Sequence, residues 1–128
     1  MGLDAYLMTV PVDDDDTPSY SRDLEKDCRH APKIIHAWRK HWGLHNYMRS
    51  QWERNGNDDG DEFNCVAVKI TREFLDKTRR SAMKGELARE DDDTEEDREL
   101  TKQDLLLALE KAEMELEIGH TVYYDSWW

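Results

Sequence analysis

Hydrophobic and polar residues alternate in three short stretches of the chain, and this period of two is typical of half-buried strands. Residues 2–12 alternate loosely until Pro11, and residues 63–70 alternate through Val66, Val68 and Ile70. Residues 120–128 (HTVYYDSWW) place β-branched and aromatic side chains at alternating positions. The pattern therefore predicts an N-terminal, a middle and a C-terminal strand.

A helical period replaces this alternation in residues 31–54. The positions that recur at steps of three and four are Ile35, Trp38, Trp42, His45, Arg49 and Trp52. Pro32 suits the first turn of a helix, where its missing N–H leaves no hydrogen bond unmade. These positions predict one amphipathic helix over residues 31–54, with Arg39, Lys40 and Arg54 outside its apolar stripe.

Two further helices are predicted downstream. Thr71 can cap a helix over residues 72–84 that Gly85 ends, with an inward side formed by Phe74, Leu75, Thr78, Ala82 and Met83. Thr101 can cap a last helix that Gly119 ends, with a buried seam formed by Leu105, Leu106, Leu109, Ala112, Leu116 and Ile118. The order β, α, β, α, α, β predicts an α+β fold, a small and mostly antiparallel sheet packed with about three helices. At 128 residues the chain is expected to form a single domain over 1–128.

Charge divides the chain into a basic stretch and acidic surroundings. The formal net charge is -12, yet residues 29–54 hold six basic residues and one acid. Acidic mobile loops are expected near 13–19, 55–62 and 86–99, and a frayed helical extension is the alternative for the last. Such a charge favours basic protein partners and disfavours free nucleic acid and anionic membranes.

Cytoplasmic residence is expected from the apolar runs and the N-terminus. The runs fall short of the ~20 residues that a membrane helix needs. The first residues lack the basic start of a signal peptide and include Asp4. In a reducing compartment Cys28 and Cys65 are expected to be free thiols rather than a disulfide.

Three stretches carry a resemblance: the opening MGLDAYL, WRKHWGLHNYM over residues 38–48, and the final VYYDSWW. They resemble a family of small bacteriophage-encoded proteins that begin MGLDMYL, carry WRKxNxIHxWF in a helix and end in YYxSSW. Trp38, Arg39, Lys40 and His45 fall on matching positions. His41 and Trp42 depart from the family, which has a small residue and Asn there. The resemblance implies a phage origin and a compact fold, and it implies no reaction; with the cytoplasmic residence expected above, a phage origin makes the host cytoplasm the expected location.

Trp38, Arg39 and Lys40 are the first candidate for binding chemistry. An indole can stack on a base while a guanidinium and an ammonium hold a phosphate. The alternative interpretation is that Trp38 belongs to the core and the two cations are solvated.

Metal sites are weighed on two patterns. His41 and His45 have a spacing that can ligate zinc, but the glutamate of H-E-x-x-H is missing, so ordinary core or surface histidines are expected. Residues 55–60 fit the start of a calcium loop, but Val66 stands where its twelfth residue, a glutamate, is needed. No metal and no cofactor are therefore expected.

Binding is favoured over catalysis, because the chain has no G-x-S-x-G, P-loop or G-x-G-x-x-G pattern. The leading hypothesis is a phage-encoded accessory or anti-defence protein that binds and inhibits a bacterial host protein, through acidic residues that imitate nucleic acid. Those residues are Asp13, Asp14, Asp15, Asp16, Asp58, Asp59, Asp91, Asp92 and Asp93; an ordinary solvated surface is the alternative interpretation for them.

A pocket protein for an anionic small ligand such as a nucleotide, either a sequestrant or a hydrolase, is the second hypothesis. Its pocket would be formed by Trp38, Arg39, Lys40, His45, Tyr123 and Tyr124. A third hypothesis has the basic stretch 29–54 contact nucleic acid while the acidic loops point away.

Overall fold

The computed structural model of the protein describes residues 3–11, 20–21, 32–54, 67–87 and 94–127. The elements in chain order are β1 (Asp4–Val10), β2 (Tyr20–Ser21), β3 (Lys33–Arg39), α1 (Trp42–Arg54), β4 (Ala67–Ile70), α2 (Arg72–Met83), α3 (Glu95–Glu117) and β5 (Thr121–Trp127). The α+β class is confirmed, with N-terminal, middle and C-terminal strands in one sheet and three helices among the described residues.

The sheet has the strand order β2-β4-β5-β1-β3, and each pair of neighbours is antiparallel. β5 lies in the middle, paired with β1 on one side and β4 on the other. β1 also pairs with β3, and the register shifts between Leu7 and Met8 because Ile35 is an extra residue on β3. β3 therefore forms one edge of the sheet.

The prediction of a single helix over residues 31–54 is wrong. Residues 33–39 form the edge strand β3, and the helix α1 begins at Trp42. The open edge of β1 offers a row of backbone hydrogen bonds to this stretch, and its adjacent isoleucines, Ile34 and Ile35, fit a pleated surface. Tertiary pairing thus outweighs the helical period that continues through the stretch, and Pro32 precedes a strand rather than a helix.

A tight turn joins β3 to α1. Lys40 has φ 58°, in the left-handed region that a non-glycine residue rarely adopts, and its N–H donates to the carbonyl of Leu3 at 2.7 Å. His41 follows at the N-cap position, where its Nδ1 accepts from the backbone N–H of Leu44 at 3.2 Å. The turn fixes where α1 starts and buries the His41 ring in the corner.

All three helices pack on one face of the sheet. Leu7, Val68, Val122 and Tyr124 from the strands join one core cluster with residues of every helix, including Leu44, Met48, Trp52, Leu75, Leu105 and Leu109. The opposite face carries a smaller cluster of Met8, Val10, Ala67 and Tyr123. Met83, Trp42 and Ile118, predicted to face inward, are instead exposed.

Local signals set both ends of α2. Thr71 caps its start by accepting from the N–H of Phe74 at 3.2 Å, as predicted. At its end Gly85 has φ 75°, and the N–H groups of Gly85 and Glu86 donate back to Ala82 and Ser81. Gly119 ends α3 in the same conformation, with φ 88°.

The start of α3 lies earlier than predicted. Thr94, not Thr101, is the N-cap residue, and its hydroxyl accepts from the N–H of Asp97 at 3.1 Å. The acidic first turn of Glu95, Glu96 and Asp97 favours this start because it faces the positive end of the helix dipole. Residues 95–99 of the predicted loop 86–99 are therefore helical, which is the alternative stated for that segment.

The two threonines give a direct test of where α3 begins. Thr94→Ala is expected to lower the free energy of unfolding by about 1 kcal/mol, because the N–H of Asp97 loses its acceptor. Thr101→Ala, inside the helix, is the matched control and should change it by less than about 0.5 kcal/mol. Urea unfolding measures both, and a larger cost for Thr101→Ala would contradict this helix start.

The loops predicted at 13–19 and 55–62, which include the residues compared with a calcium loop, and both cysteines lie outside the described residues. None of the described helices combines the length and the apolar character that crossing a membrane requires.

Candidate functional site

The predicted binding residues gather at the corner between β3 and α1, although not on one surface. Trp38 pairs with Ala5 of β1 and is buried on the helix-covered face. Arg39 pairs with Asp4, so strand alternation directs it to the other face, where its guanidinium lies 3.5 Å from the Asp4 carboxylate. The Arg39 side chain is 85% exposed. Lys40 occupies the turn and is also exposed.

A pocket of about 380 Å³ opens between this corner and the N-terminal half of α3. It is lined by Ala37, Trp38, Arg39, His41, Leu100, Thr101 and Asp104. The indole of Trp38 packs against two imidazole rings, with centroid distances of 4.8 Å to His36 and 6.2 Å to His41. The buried Nε1–H of Trp38 has no hydrogen-bond acceptor within the described part of the chain. The pocket thus brings the indole of Trp38 close to the carboxylate of Asp104, with Arg39 as a further lining residue.

Asp104 is tied to the sheet through His36. The Nε2 of His36 lies 3.0 Å from Asp104, and its Nδ1 lies 3.4 Å from the ammonium of Lys111. An ammonium can only donate hydrogen bonds, so Nδ1 of His36 is the acceptor. The ring proton is then on Nε2, which donates a hydrogen bond to the carboxylate of Asp104. The pocket therefore presents a fixed carboxylate from Asp104, while the guanidinium of Arg39 lies beside Asp4 on the other face of the sheet.

His45 and Tyr124 form a buried pair between α1 and β5. The His45 Nδ1 lies 3.0 Å from the Tyr124 hydroxyl, and both side chains are buried. Burial, with the nearby charge of Asp125, raises the pKa of Tyr124, so its hydroxyl stays protonated at neutral pH. This pair locks α1 to the centre of the sheet, and His45 does not line the pocket beside Trp38.

Tyr123 and Tyr124 do not share a site. Neighbours on a strand point to opposite faces, and Tyr123 belongs to the cluster on the face without helices. Of the six residues predicted for a single pocket, Trp38 and Arg39 line the observed one, although the guanidinium of Arg39 lies on the other face of the sheet. His41, Thr101 and Asp104 were missed, because their approach depends on β3 and α3 being neighbours in space.

Asp125 on β5 gives a prediction about pH. Burial raises the pKa of its carboxyl above the ordinary 3.8, although the N–H of Ser126, which donates to Oδ1 at 2.8 Å, acts in the opposite direction. Between pH 3.8 and the raised pKa, the folded protein therefore holds a proton that the unfolded chain has lost, and the free energy of unfolding falls as the pH rises through this range. Above the raised pKa this loss of stability has reached its full size.

Asp125→Asn keeps an oxygen for Ser126 and removes the charge. It is expected to be more stable than the parent at pH 7 and to lose the part of the pH dependence that Asp125 contributes. Urea unfolding at pH 4 and pH 7 measures the difference, and Asp76→Asn, on an exposed side chain, is the control. A variant less stable than the parent at pH 7 would contradict the direction of the shift.

A row of exposed apolar side chains runs along α3 and was not predicted. Leu100, Leu107, Met114 and Ile118 are 62%, 50%, 62% and 66% exposed. The first three are seven residues apart and Ile118 follows four later, so all four lie on one helix face. Leu105, Leu109 and Ala112 form the opposite, buried face. We call this exposed set the α3 row.

Acidic residues surround the α3 row. The helix contains nine acidic and three basic residues, a formal charge of -6. Glu96, Glu110 and Glu117 are exposed along one side of the row, three or four residues from its members. Asp104 and Lys111 lie along the other side. The exposed face of α3 is thus apolar along its centre, acidic on the side of Glu110 and Glu117, and mixed in charge on the side of Asp104 and Lys111.

The arrangement of the described residues does not support a metal site. Among them, no three His, Cys, Asp or Glu side chains gather as a metal site. The Nδ1 atoms of His41 and His45 form hydrogen bonds with the N–H of Leu44 and the hydroxyl of Tyr124.

The predicted acidic surface Asp13–Asp16, Asp58, Asp59 and Asp91–Asp93 lies outside the described residues. Comparison with protein-family models, with curated proteins and with solved structures found no match to this chain.

Proposed function

We propose that this protein binds, and thereby inhibits, a partner protein with a basic surface. The observation that carries the proposal is the exposed face of α3, where four exposed large apolar side chains lie on a helix whose total formal charge is -6. Apolar anchors inside a polar rim are the usual anatomy of a protein interface. The acidic margin attracts a basic partner and accelerates its association.

The partner is proposed to be a bacterial host protein in the host cytoplasm, on the strength of the resemblance to small phage proteins. A basic host protein that handles nucleic acid fits best, since the acidic clusters of the sequence add to the charge of α3. In that case the acidic residues imitate a phosphate backbone and occupy a groove that is built for one.

The test begins with native mass spectrometry of tagged protein recovered from bacterial lysate, which identifies a co-purifying partner. Association rates are then measured at several salt concentrations. Glu110→Lys combined with Glu117→Lys is expected to slow association by about tenfold at low salt. Asp76→Lys with Glu86→Lys makes the same charge change on exposed residues away from α3 and should have a smaller effect. Equal rates for all three proteins, at every salt concentration, would refute the proposal.

A second function is favoured by the pocket beside Trp38. Its volume of about 380 Å³ is within the range of small-ligand sites, and Arg39, the basic residue among those that line it, would have to turn its guanidinium from Asp4 towards a bound anion. The buried Nε1–H of Trp38 lacks an acceptor in the described part of the chain, and a ligand oxygen that reached it would supply one. This arrangement supports sequestration of a nucleotide or a similar anionic ring compound.

Thermal unfolding with nucleoside mono-, di- and triphosphates, and with inorganic phosphate, tests this second function. A bound nucleotide at a hundred times its Kd should stabilise the protein by about 2.7 kcal/mol. Arg39→Ala should abolish the shift, while Arg49→Ala, on the exposed side of α1, should preserve it. No shift with any compound, or an equal shift in both variants, would exclude the Arg39 pocket.

A further inference from the structure

We infer that the α3 row is a docking surface for an amphipathic helix, carried by a different protein, that has lysines or arginines beside its apolar stripe. This inference rests on the proposed function, because it specifies how the basic partner is held.

The shape of the row points to a helix as its occupant. From Leu100 to Ile118 it spans about 27 Å, at 1.5 Å per residue. Its spacing of seven residues, twice along the helix, keeps the row nearly straight, and it is a single side chain wide over most of its length. A second helix, lying almost parallel to α3, can contact such a row along its whole length by inserting its own side chains between the members.

The flanking residues determine the charge of that helix. Glu110 and Glu117 follow Leu107 and Met114 by three positions, so they stand where a docked helix places its flanking residues. On the other side Asp104 lies beside Leu100 and already accepts from His36. Lys111 lies on this second side as well, so a partner helix with lysine or arginine opposite Glu110 and Glu117 would make the favourable pairs. One with glutamate would face like charges at short distance.

A second copy of this chain is a poor occupant for the same reason. Two α3 helices packed through the row would bring together two formal charges of -6. In an antiparallel arrangement the side carrying Glu110 and Glu117 would lie against the same side of its copy. The apolar contact would then be opposed by repulsion on the side of Glu110 and Glu117, so the row favours a basic partner of different sequence.

The test uses synthetic helical peptides of three heptads, with leucine at the seam and either lysine or glutamate beside it. Fluorescence anisotropy measures the Kd of each labelled peptide for the full chain. The lysine peptide is expected to bind the parent protein and to bind Leu107→Ser with Met114→Ser about tenfold more weakly or worse. Met83→Ser, which removes an exposed apolar side chain from α2, is the matched control and should bind like the parent.

Three results would overturn the inference. The lysine peptide could bind no better than the glutamate peptide, or equally well to the row variant and to the parent. Sedimentation could instead show a dimer of the parent that Leu107→Ser with Met114→Ser dissociates, which would identify a second copy as the occupant.

The failure of this inference differs from failure of the proposed function. If the partner recovered from lysate is retained by the row variant but lost by Glu110→Lys with Glu117→Lys, the function stands and helix docking on the row is wrong. If salt and both sets of substitutions leave association unchanged, the proposed function itself is wrong.

Discussion

Replacing Leu109 by alanine is expected to lower the free energy of unfolding by about 2–5 kcal/mol, a large part of the stability of a domain of this size. Leu109 is 2% exposed and lies in the core cluster between α3 and the sheet. Truncation would remove buried methyl groups and leave a cavity that neighbours such as Leu105 and Ala112 fill poorly. Urea or thermal unfolding followed by circular dichroism measures the loss.

Leu107→Ala is the matched control, two positions away on the same helix. Because Leu107 is 50% exposed, on the side away from the core, its truncation should cost less than about 0.5 kcal/mol. The same residue is placed at the centre of the docking surface, so its truncation should weaken partner binding while leaving stability intact. Similar stability losses at both positions would mean that α3 is rotated from the orientation described above.

The second large effect is expected at the buried pair of His45 and Tyr124. Tyr124→Phe keeps the ring in the core but removes the hydroxyl 3.0 Å from the His45 Nδ1. Loss of a buried hydrogen bond between polar side chains is expected to lower the free energy of unfolding by about 1–3 kcal/mol. Thermal unfolding at neutral pH, where the raised pKa keeps Tyr124 protonated, is the measurement.

Tyr47→Phe is the control for this substitution. Tyr47 is partly buried on α1 and packs its ring edge-to-face against Phe74, at 6.1 Å between centroids. Its loss of a hydroxyl should cost less than about 0.5 kcal/mol. A double-mutant cycle of Tyr124→Phe with His45→Leu then isolates the pair, since non-additive losses report their coupling. Additive losses would show that the 3.0 Å contact contributes nothing of its own to stability.

Elements whose signals are local could be predicted from the sequence. Alternation identifies β1 and β5, and the ends of α2 follow from Thr71 and Gly85, which act on the helix turn next to them. The sequence also contains a local signal for Thr94 as the N-cap residue of α3, since three acidic residues follow it directly. The buried seam points to Thr101 instead, because it starts near that residue, whereas residues 95–100 are all exposed and contain no part of the seam.

Elements determined by distant partners could not be predicted in this way. The pattern of Ile35, Trp38 and Trp42 fits a helix on its own, and β1, some thirty positions away, makes residues 33–39 a strand. The pocket has the same origin, because Asp104 and Thr101 reach Trp38 through the packing of α3 against the sheet. The α3 row differs: its spacing of seven is visible in the sequence, but deciding which leucines of that helix are exposed requires the fold.

The central position of β5 has a consequence for the way the chain acquires its structure. Asp4 pairs with Trp127, and Val10 with Thr121, so the middle of the sheet joins residues more than a hundred positions apart. Closing such long loops costs conformational entropy before the contacts that offset this cost have formed. Chains dominated by distant pairings therefore fold slowly, in milliseconds to seconds. On the ribosome, β1 with β3 and β4 with β2 can pair early, but each pair keeps an unsatisfied inner edge until residue 127 has emerged from the exit tunnel. A nascent chain arrested before residue 121 would therefore expose two open sheet edges, and it would need a chaperone to avoid aggregation.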